Sequence, residues 1–363
     1  MKWKIIEEYM LRDQLLQVMI DNEWSDMYIT FWTYPSIKIW WQIAKINEWI
    51  DILNEETTRD FAYSLITEKE NEELLINKNF DFAFTFSWRR FRVNISFQKW
   101  FYMTVIRLLW ADIPTIEWLW LPEIYKDVMK RWQWIVLITW PTWSWKSTTL
   151  AAMINYVNDN YIKHIITIED PVEFVHEHKK SIIEQKEIWK DVPNYKIALI
   201  WAMRQNPQVI LFWEMRSVEE IEMALILAET WHLVLSTLHT RNATQTISRI
   251  IDAFDWSRQN QIRLQLSQSL IWVFSQRLLK KDNWSWVILV KEILVNNVAI
   301  SNLIRENNLH QVPSVLQMWS TEWMQLLEKD IIDAVNSWFI TLEEWLKYSN
   351  NQKYVKDNIE ICL

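Results

Sequence analysis

The chain has 363 residues, of which 23% are charged, with a formal net charge of −8 and a pI near 5.4. This length predicts two domains, the acidic balance excludes a general basic surface for nucleic acid, and no apolar run reaches the roughly 18 residues of a membrane span. The single Cys362 excludes an internal disulfide and a cysteine-based zinc site, and the two glutamates near the N-terminus disfavour a signal peptide, so we expect a cytoplasmic protein without a transmembrane segment.

Glycine is missing from the chain, and tryptophan is unusually abundant. There are 28 Trp and 0 Gly, although a protein of this length ordinarily has about 7% glycine, or roughly 25 residues. Several tryptophans stand where turns or helix ends favour the left-handed backbone that glycine adopts easily, namely Trp24, Trp40, Trp41, Trp284, Trp286 and Trp338. UGA is decoded as tryptophan in some bacteria and as glycine in others. We therefore interpret each Trp as a glycine of the native protein; the alternative is that all the tryptophans are genuine.

The first part of the chain predicts a small α+β domain over residues 1–110. Alternating apolar and polar residues predict strands at 26–31, 36–46 (with a hairpin turn at the Trp pair), 80–86, 90–98 and 102–109, and a segment rich in Glu and Leu predicts helices within 53–78. The segment 111–123, which contains two prolines, is predicted to be a flexible linker.

The remainder, 124–363, predicts an α/β fold. Continuous apolar strands at 135–139, 164–170, 208–212 and 233–240 alternate with helices, which is typical of a parallel sheet covered on both faces. The tail beyond residue 297 is predicted to be helical, and a capping box at 341–344 begins the last helix.

A phosphate-binding loop is predicted directly after the first of these strands. It comprises Trp140, Pro141, Thr142, Trp143, Ser144, Trp145, Lys146, Ser147 and Thr148. With glycine for tryptophan, the segment becomes the G-x-x-x-x-G-K-[ST] motif between a strand and a helix. We expect Lys146 to reach the β- and γ-phosphates of ATP and Ser147 to bind Mg²⁺. With genuine indole rings at Trp143 and Trp145 the loop should bind ATP poorly or not at all.

Carboxylates follow the next strands of the predicted sheet. Glu214 comes just after the strand at 208–212 and is expected to hold Mg²⁺ through water. The strand at 164–170 ends in Glu169 and Asp170, with Glu173 shortly after, and one of these three is a candidate to orient and deprotonate the attacking water. Spacing alone does not decide which of the three it is.

Two histidines bracket the fourth strand. His232 and His239 are separated by seven residues, an odd number that would place them on opposite faces of a fully extended segment. A lone histidine at a strand end is usually structural, but His239 follows the strand's carboxyl end, where it could sense the γ-phosphate.

In this arrangement the motifs resemble those of the secretion-type hexameric ATPases, most closely the PilT-like retraction ATPases of type IV pili. The segments that carry the resemblance are "TWPTWSWKSTTLAAM" (Walker A), "HIITIEDPVEFVHE" (Asp box), "NPQVILFWEMR" (Walker B) and "AETWHLVLSTLHT" (His box). Each glycine that the family has in them is a Trp here. "AISNLIRE" resembles the motif of retraction ATPases, although Ser301 replaces the usual Arg; Ser217 likewise replaces the usual Asp.

The resemblance implies a RecA-like P-loop NTPase core with a smaller N-terminal PAS-like α+β domain. It implies that Glu173 is the general base, that Glu214 acts on Mg²⁺, and that His232 and His239 couple the nucleotide state to movement.

The resemblance also implies a role for three arginines of the first domain. Arg90, Arg92 and Arg107 match positions whose side chains reach the nucleotide from a neighbouring domain. A guanidinium delivered in this way would stabilise charge on the transferring phosphoryl group and make hydrolysis depend on assembly. By pattern alone, Arg90 and Arg92 are only same-face residues of one strand.

We therefore expect a homohexamer that hydrolyses ATP with Mg²⁺ at the inner face of the cytoplasmic membrane and drives pilus retraction through an inner-membrane platform protein. Three alternatives remain. A pilus-assembly or type II secretion ATPase shares the core but usually has extra N-terminal domains and often a four-cysteine zinc element. A non-catalytic ring scaffold would follow if the tryptophans are genuine. A nucleic-acid translocase is disfavoured by the acidic pI.

Overall fold

A computed structural model describes residues 2–39, 42–47, 50–139, 146–280, 287–319, 323–337, 349 and 352–358. The chain divides into two compact units. Unit 1 is Met1–Asp112 together with Asp170–Val175, and unit 2 is Ile113–Glu169 together with His176–Leu363. The predicted hairpin turn at the Trp pair 40–41, positions 284, 286 and 338, the capping box at 341–344, and Cys362 lie outside the described residues.

Unit 1 contains one antiparallel sheet of six strands in the order β3-β2-β1-β6-β5-β4. Its elements are α1 (Lys2–Asn22), β1 (Asp26–Ile29), β2 (Ser36–Ile39), β3 (Gln42–Lys45), α2 (Glu55–Tyr63), α3 (Glu68–Asn77), β4 (Asn79–Phe86), β5 (Arg89–Gln98) and β6 (Phe101–Leu108). The strands and the α2 and α3 helices confirm the predicted α+β domain; α1 was not predicted.

One face of the unit 1 sheet is apolar and packs against helices. Along β5, Phe91, Val93 and Ile95 are fully buried, and they join a core cluster that includes Leu15 and Met19 of α1. The residues between them point to the opposite face, because successive side chains of a strand alternate. This alternation gives the sheet a second, polar face, which carries Arg90 and Arg92 of β5 and Arg107 of β6.

Unit 2 contains a seven-stranded sheet in the order β13-β12-β7-β11-β10-β8-β9, parallel except for the β12–β13 pair. Its elements are α4 (Ile124–Met129), β7 (Trp134–Thr139), α5 (Lys146–Asn160), β8 (His164–Glu169), β9 (Ile182–Glu187), α6 (Tyr195–Arg204), β10 (Val209–Phe212), α7 (Val218–Glu229), β11 (Leu233–Leu238), α8 (Ala243–Asp252), α9 (Trp256–Ser269), β12 (Leu270–Lys280), β13 (Val287–Val295), α10 (Val298–Arg305), a 3₁₀ turn (Leu309–Gln311), α11 (Val312–Met318), α12 (Leu327–Asn336) and α13 (Gln352–Asn358).

Helices cover both faces of this sheet, as continuous apolar strands require. Along β7, Ile135 and Leu137 belong to one buried cluster, and Val136 and Ile138 belong to another on the opposite face. The predicted α/β core with a parallel sheet is confirmed. The segment 113–123 adds three buried residues, Ile116, Leu119 and Leu121, to the second cluster. Among the described residues, no helix combines the length and the apolar character needed to cross a bilayer.

Within the described part of the chain, seven tryptophans have a left-handed backbone, with φ between 56° and 107°. They are Trp32, Trp100, Trp120, Trp134, Trp189, Trp231 and Trp323. A residue with a Cβ pays about 1 kcal/mol or more to adopt this conformation, whereas glycine adopts it at no steric cost. Several of these indoles also face solvent: Trp100 is 93% exposed and Trp120 is 86% exposed.

Two of these positions belong to motifs in which glycine is the preferred residue. Lys99 and Trp100 both have positive φ and join β5 to β6 in a two-residue hairpin, the geometry of a type I′ turn. Trp231 follows the C-cap of α7, and the backbone N–H of His232 donates to the carbonyl oxygen of Leu227, as in a Schellman motif with glycine at C′. The backbone at these positions therefore has the conformation of glycine rather than of tryptophan.

Candidate functional site

Four neighbouring parallel strands of unit 2 end at the same edge of the sheet. The order β7-β11-β10-β8 places the residues that follow them side by side, and ligands of open α/β sheets bind at this carboxyl edge. Lys146 begins the helix after β7, His239 follows β11 and Glu214 follows β10. The fold therefore brings together three of the residues that the sequence predicts for the nucleotide site.

His239 contacts both of the other two side chains. Nζ of Lys146 lies 3.2 Å from Nδ1 of His239, and Nε2 of His239 lies 3.3 Å from Oε1 of Glu214. The consistent assignment is that Lys146 donates to Nδ1 and that the neutral imidazole donates its Nε2–H to the carboxylate. His239 thus connects the cation expected to bind phosphate to the carboxylate expected to act on the metal.

Glu214 is fixed by hydrogen bonds on both sides of its turn. The Thr237 hydroxyl of β11 donates to the carbonyl oxygen of Trp213 at 2.6 Å, and the Met215 backbone N–H donates to the Thr237 carbonyl oxygen at 3.1 Å. Nε of Arg216 lies 2.8 Å from Oε2 of Glu214. The Glu214 side chain is 11% exposed. Its carboxylate is held in a single orientation, with one oxygen toward His239 and the other toward Arg216.

The turn after Glu214 leads into α7 through a capping box. The Ser217 hydroxyl accepts from the Glu220 backbone N–H, and the Glu220 carboxylate accepts from the backbone N–H groups of Arg216 and Ser217. Serine and aspartate both cap helices well. Ser217, which departs from the family's usual aspartate, therefore keeps the capping function.

Burial lowers the pKa of both basic groups of the site, Lys146 and His239. Desolvation lowers the pKa of Lys146 to about 8; Arg216 lowers it further, and Glu214 opposes the shift. Desolvation is also the main cause that lowers the pKa of His239, followed by the charge of Lys146. Since the pKa of His239 lies below its ordinary value, the imidazole is neutral at pH 7, in agreement with the hydrogen bonds assigned above.

Residues 140–145 of the predicted phosphate loop lie outside the described residues. The helix after the loop is described: α5 begins at Lys146, Ser147 is half-buried in the first turn, and Thr148 is buried. A helix N-terminus, an ammonium group, a hydroxyl and a carboxylate are the groups that bind a nucleoside triphosphate and its metal ion. The donor set of the described part therefore fits such a ligand.

His232 lies at the opposite end of β11 from His239. The six-residue strand between them spans roughly 20 Å. Nδ1 of His232 lies 3.1 Å from the carbonyl oxygen of Leu227 and 3.2 Å from the Thr230 hydroxyl. The His232 side chain is buried. The structure therefore does not bring His232 together with Lys146 and Glu214.

The three acids at and just after the end of β8 have separate surroundings. Glu169 belongs to unit 2, where its Oε1 accepts from the Thr167 hydroxyl at 2.7 Å and from Nε2 of Gln185 at 3.2 Å. Asp170 and Glu173 belong to unit 1. The predicted base Glu173 therefore belongs to the same compact unit as the predicted arginines.

The predicted arginines of unit 1 all have acceptors within that unit. Arg90 Nε donates to the carbonyl oxygen of Val172 at 2.8 Å, and Arg92 Nη1 lies 2.9 Å from Oε1 of Glu173. Arg107 Nε lies 2.8 Å from Oδ1 of the buried Asp26. The structure therefore places Arg90 and Arg92 beside the segment that carries the predicted base, and Arg107 beside an aspartate.

Arg216, Asp81 and Asp26 form ion pairs with predicted site residues, but the sequence analysis assigned none of them a role. Arg216 lies two residues beyond Glu214, so its signal is local. Asp81 and Asp26 contact Arg92 and Arg107 across strands, and only the strand register could have revealed them.

Comparison with known proteins reveals relatives along nearly the whole chain. A family model described as "Type II/IV secretion system protein" matches residues 122–287. The chain is 36% identical over 352 residues to a twitching motility protein of Neisseria gonorrhoeae, covering 97% of this chain and 93% of that protein. It is 37% identical over 320 residues to the type IV pilus retraction ATPase PilT of Pseudomonas aeruginosa, covering 88% and 92%.

A solved structure shares the architecture. The crystal structure of the pilus retraction motor PilT with bound ADP superposes with a TM-score of 0.87 at 38% identity, covering 95% of this chain and 98% of that chain. The similarity therefore includes both units.

Proposed function

The chain belongs to the family of PilT-like type IV pilus retraction ATPases, and from this premise we propose that it is a motor that hydrolyses ATP to retract type IV pili. The observation that carries the proposal is the contact of Lys146, His239 and Glu214 at the carboxyl edge of the parallel sheet. This arrangement provides a cation for phosphate, a carboxylate for the metal ion and a neutral histidine between them.

In this proposal the N-terminus of α5, the loop before it and Lys146 bind the phosphates of ATP. The Ser147 hydroxyl would hold a magnesium ion directly and Glu214 would hold it through water, and the ion would supply positive charge against the phosphates. Glu173 accepts a proton from the attacking water. His239 moves when the charge next to Lys146 changes, and it transmits that change to Glu214 at the end of the neighbouring strand. His232, at the far end of β11, takes part through the strand and not through contact with ATP.

We propose that six copies form a ring and that Arg90, Arg92 and Arg107 act on the nucleotide only in the assembled state. The ring would lie at the cytoplasmic face of the inner membrane and act on an integral membrane platform protein, with no nucleic acid involved. The acidic composition supports the last point.

We also propose that the native protein has glycine at the 28 positions occupied by tryptophan in this sequence. Support comes from the absence of glycine from the sequence and from the left-handed backbone at seven of the described tryptophans. The phosphate loop adds support, because its backbone amides must approach phosphate closely. We call the chain with these 28 residues changed to glycine the glycine form.

For the glycine form, we expect the affinity for ATP to fall as the pH rises above the pKa of Lys146, which burial lowers to about 8 in the chain that carries tryptophan. A bound phosphate favours the ammonium form and raises this pKa. Below the lowered pKa, Lys146 is protonated with and without ATP, so affinity is at its maximum. Above it, binding must take up a proton, and affinity falls up to about tenfold per pH unit. Equilibrium titration with ATP between about pH 6.5 and 9.5 measures this.

The matched control is Lys146→Arg, because a guanidinium remains charged throughout this range. Its affinity for ATP, whatever the absolute value, should not change with pH. An affinity of the lysine form that is equally flat would contradict the assigned contact between Lys146 and phosphate.

The proposed direction of movement is tested by deleting the gene in its native host. Loss of a retraction motor should leave cells with surface pili but without twitching, since assembly continues and withdrawal stops. The unaltered gene should restore twitching, and a gene encoding Lys146→Ala should not. Cells that lose their pili on deletion would indicate an assembly motor instead.

A further inference from the structure

The polar face of the unit 1 sheet carries a row of charged side chains. Residues directly opposite each other on paired strands lie on the same face, and the register aligns Asp26 with Arg107 and Arg107 with Arg92. Asp81 and Arg90 lie two residues away from this row along β4 and β5, and therefore on the same face. The arginines predicted to reach the nucleotide thus share this face with two carboxylates of their own sheet, Asp26 and Asp81.

Arg92 is shared between two carboxylates. Its Nε lies 3.2 Å from Oδ1 of Asp81 and its Nη2 lies 2.6 Å from Oδ2 of the same residue. Its remaining nitrogen, Nη1, lies 2.9 Å from Oε1 of Glu173. Asp81 therefore binds one side of the guanidinium through two parallel contacts, while Glu173 is bound through one.

The environment strengthens these contacts. The side chains of Arg92, Asp81 and Glu173 are 30%, 31% and 14% exposed. Burial lowers the pKa of the guanidinium, and the two carboxylates, Asp81 ahead of Glu173, outweigh this and raise it. Arg92 therefore stays charged. A two-contact fork fixes the orientation of a guanidinium more strongly than one contact does, so Asp81 sets the position of Arg92.

We propose that Asp81 is a positioning residue that holds Arg92 while its third nitrogen exchanges between Glu173 and a phosphate of ATP. The proposal rests on the function proposed above, in which Glu173 is the general base. A carboxylate oxygen that already accepts from a guanidinium cannot use the same lone pair to accept from a water molecule. The exchange therefore activates Glu173 only when Arg92 has engaged the nucleotide.

The released carboxylate then takes a proton from water. The water oxygen forms a bond to the γ-phosphorus, the bond from that phosphorus to the β–γ bridging oxygen breaks, and ADP leaves with the electron pair. Asp81 keeps its two contacts throughout and gains or loses no proton.

The backbone beside Glu173 is tied to the same face. Nε of Arg90 donates to the carbonyl oxygen of Val172 at 2.8 Å, and the Val172 side chain is buried. The exchange therefore requires only rotation of the Glu173 side chain, not departure of the segment.

The test is Asp81→Asn in the assembled glycine form. Asparagine cannot bind the guanidinium as an ion pair, so Arg92 should turn fully to Glu173, the carboxylate that remains. We expect kcat for ATP hydrolysis to fall about tenfold, the size of one charge-assisted contact, while KM for ATP changes little because Lys146 still binds the phosphates. Asp60→Asn is the matched control, because Asp60 pairs with Arg59 on α2, and its kcat should be unchanged.

A double-mutant cycle separates positioning from a merely structural role. If Asp81 acts through Arg92, then Asp81→Asn should lower kcat in the parent but not in an Arg92→Gln background. An equal loss in both backgrounds, or no loss in the parent, overturns the proposal. If Asp81→Asn does not fold, Asp81→Ser, which also removes the charge, enters the same cycle with the same criteria.

The same measurements identify a failure of the proposed function. Glu173→Gln should remove ATP turnover if Glu173 is the base. Retained turnover in Glu173→Gln rejects that role, and with it the exchange. Loss of turnover in Glu173→Gln combined with full activity in Asp81→Asn rejects only the role of Asp81.

Discussion

Replacing Lys146 by alanine in the glycine form is expected to reduce ATP turnover by about 10²- to 10³-fold or more, the effect of removing a preorganised charge from a phosphoryl-transfer site. Lys146 is the cation at the edge of the sheet that contacts His239, so its loss removes both a phosphate contact and the connection to Glu214. Phosphate release by the assembled protein under saturating ATP measures the effect.

Two further variants make this result specific. Lys130→Ala removes an equivalent charge from the same unit. Lys130 forms an ion pair with Asp127 on α4, away from the candidate site residues, so turnover should be unchanged. Glu214→Gln should abolish turnover while ATP still binds, because Lys146 and the helix N-terminus remain. Turnover close to the parent value in Lys146→Ala would reject the assigned site.

The second large effect concerns the phosphate loop. The protein made with tryptophan throughout is expected to bind ATP at least about 100-fold more weakly than the same protein carrying Trp143→Gly and Trp145→Gly. Indole side chains at these positions would occupy the volume into which backbone amides must bring phosphate oxygens. Titration with a fluorescent ATP analogue measures both affinities.

The control for this experiment is Trp100→Gly combined with Trp231→Gly. Both positions have a left-handed backbone and lie in turns, so glycine should raise the free energy of unfolding by about 1 kcal/mol each without restoring ATP binding. Mass spectrometry of the protein from its native host should find glycine in the peptide that covers 132–146. Tryptophan there, together with tight ATP binding, would contradict the proposed decoding.

The sequence predicted most strands of both units, but it missed the helix α1 and the paired strands β12 and β13. Alternation identified the strands of unit 1, and continuous apolar runs identified β7, β8, β10 and β11. The helix α1 was missed although its buried residues Leu15, Leu16, Met19 and Ile20 recur with the period of a helix. The hairpin of β12 and β13 was missed because its strands carry polar residues, such as Gln276 and Glu292, that are buried at the sheet.

The candidate site was predictable where a motif is contiguous. Lys146, Glu214 and His239 each follow a recognisable strand, and the rule that ligands bind at the carboxyl edge brings them together. The contact of Arg92 with Asp81 and Glu173 was not predictable, because it depends on the register of β4 against β5 and on a segment far along the chain. No local pattern encodes such a contact.

The tight turns that contain left-handed tryptophans bear on the movement of this gene between organisms. If UGA specifies glycine in its lineage, a recipient that reads UGA as a stop codon would end translation at the first such codon. That codon is at position 3 if Trp3 is encoded by UGA. A recipient that inserts tryptophan would display indoles such as Trp100, 93% exposed, on the surface of every copy and would favour aggregation. Horizontal transfer of this motor is therefore expected to succeed only among hosts that share its genetic code.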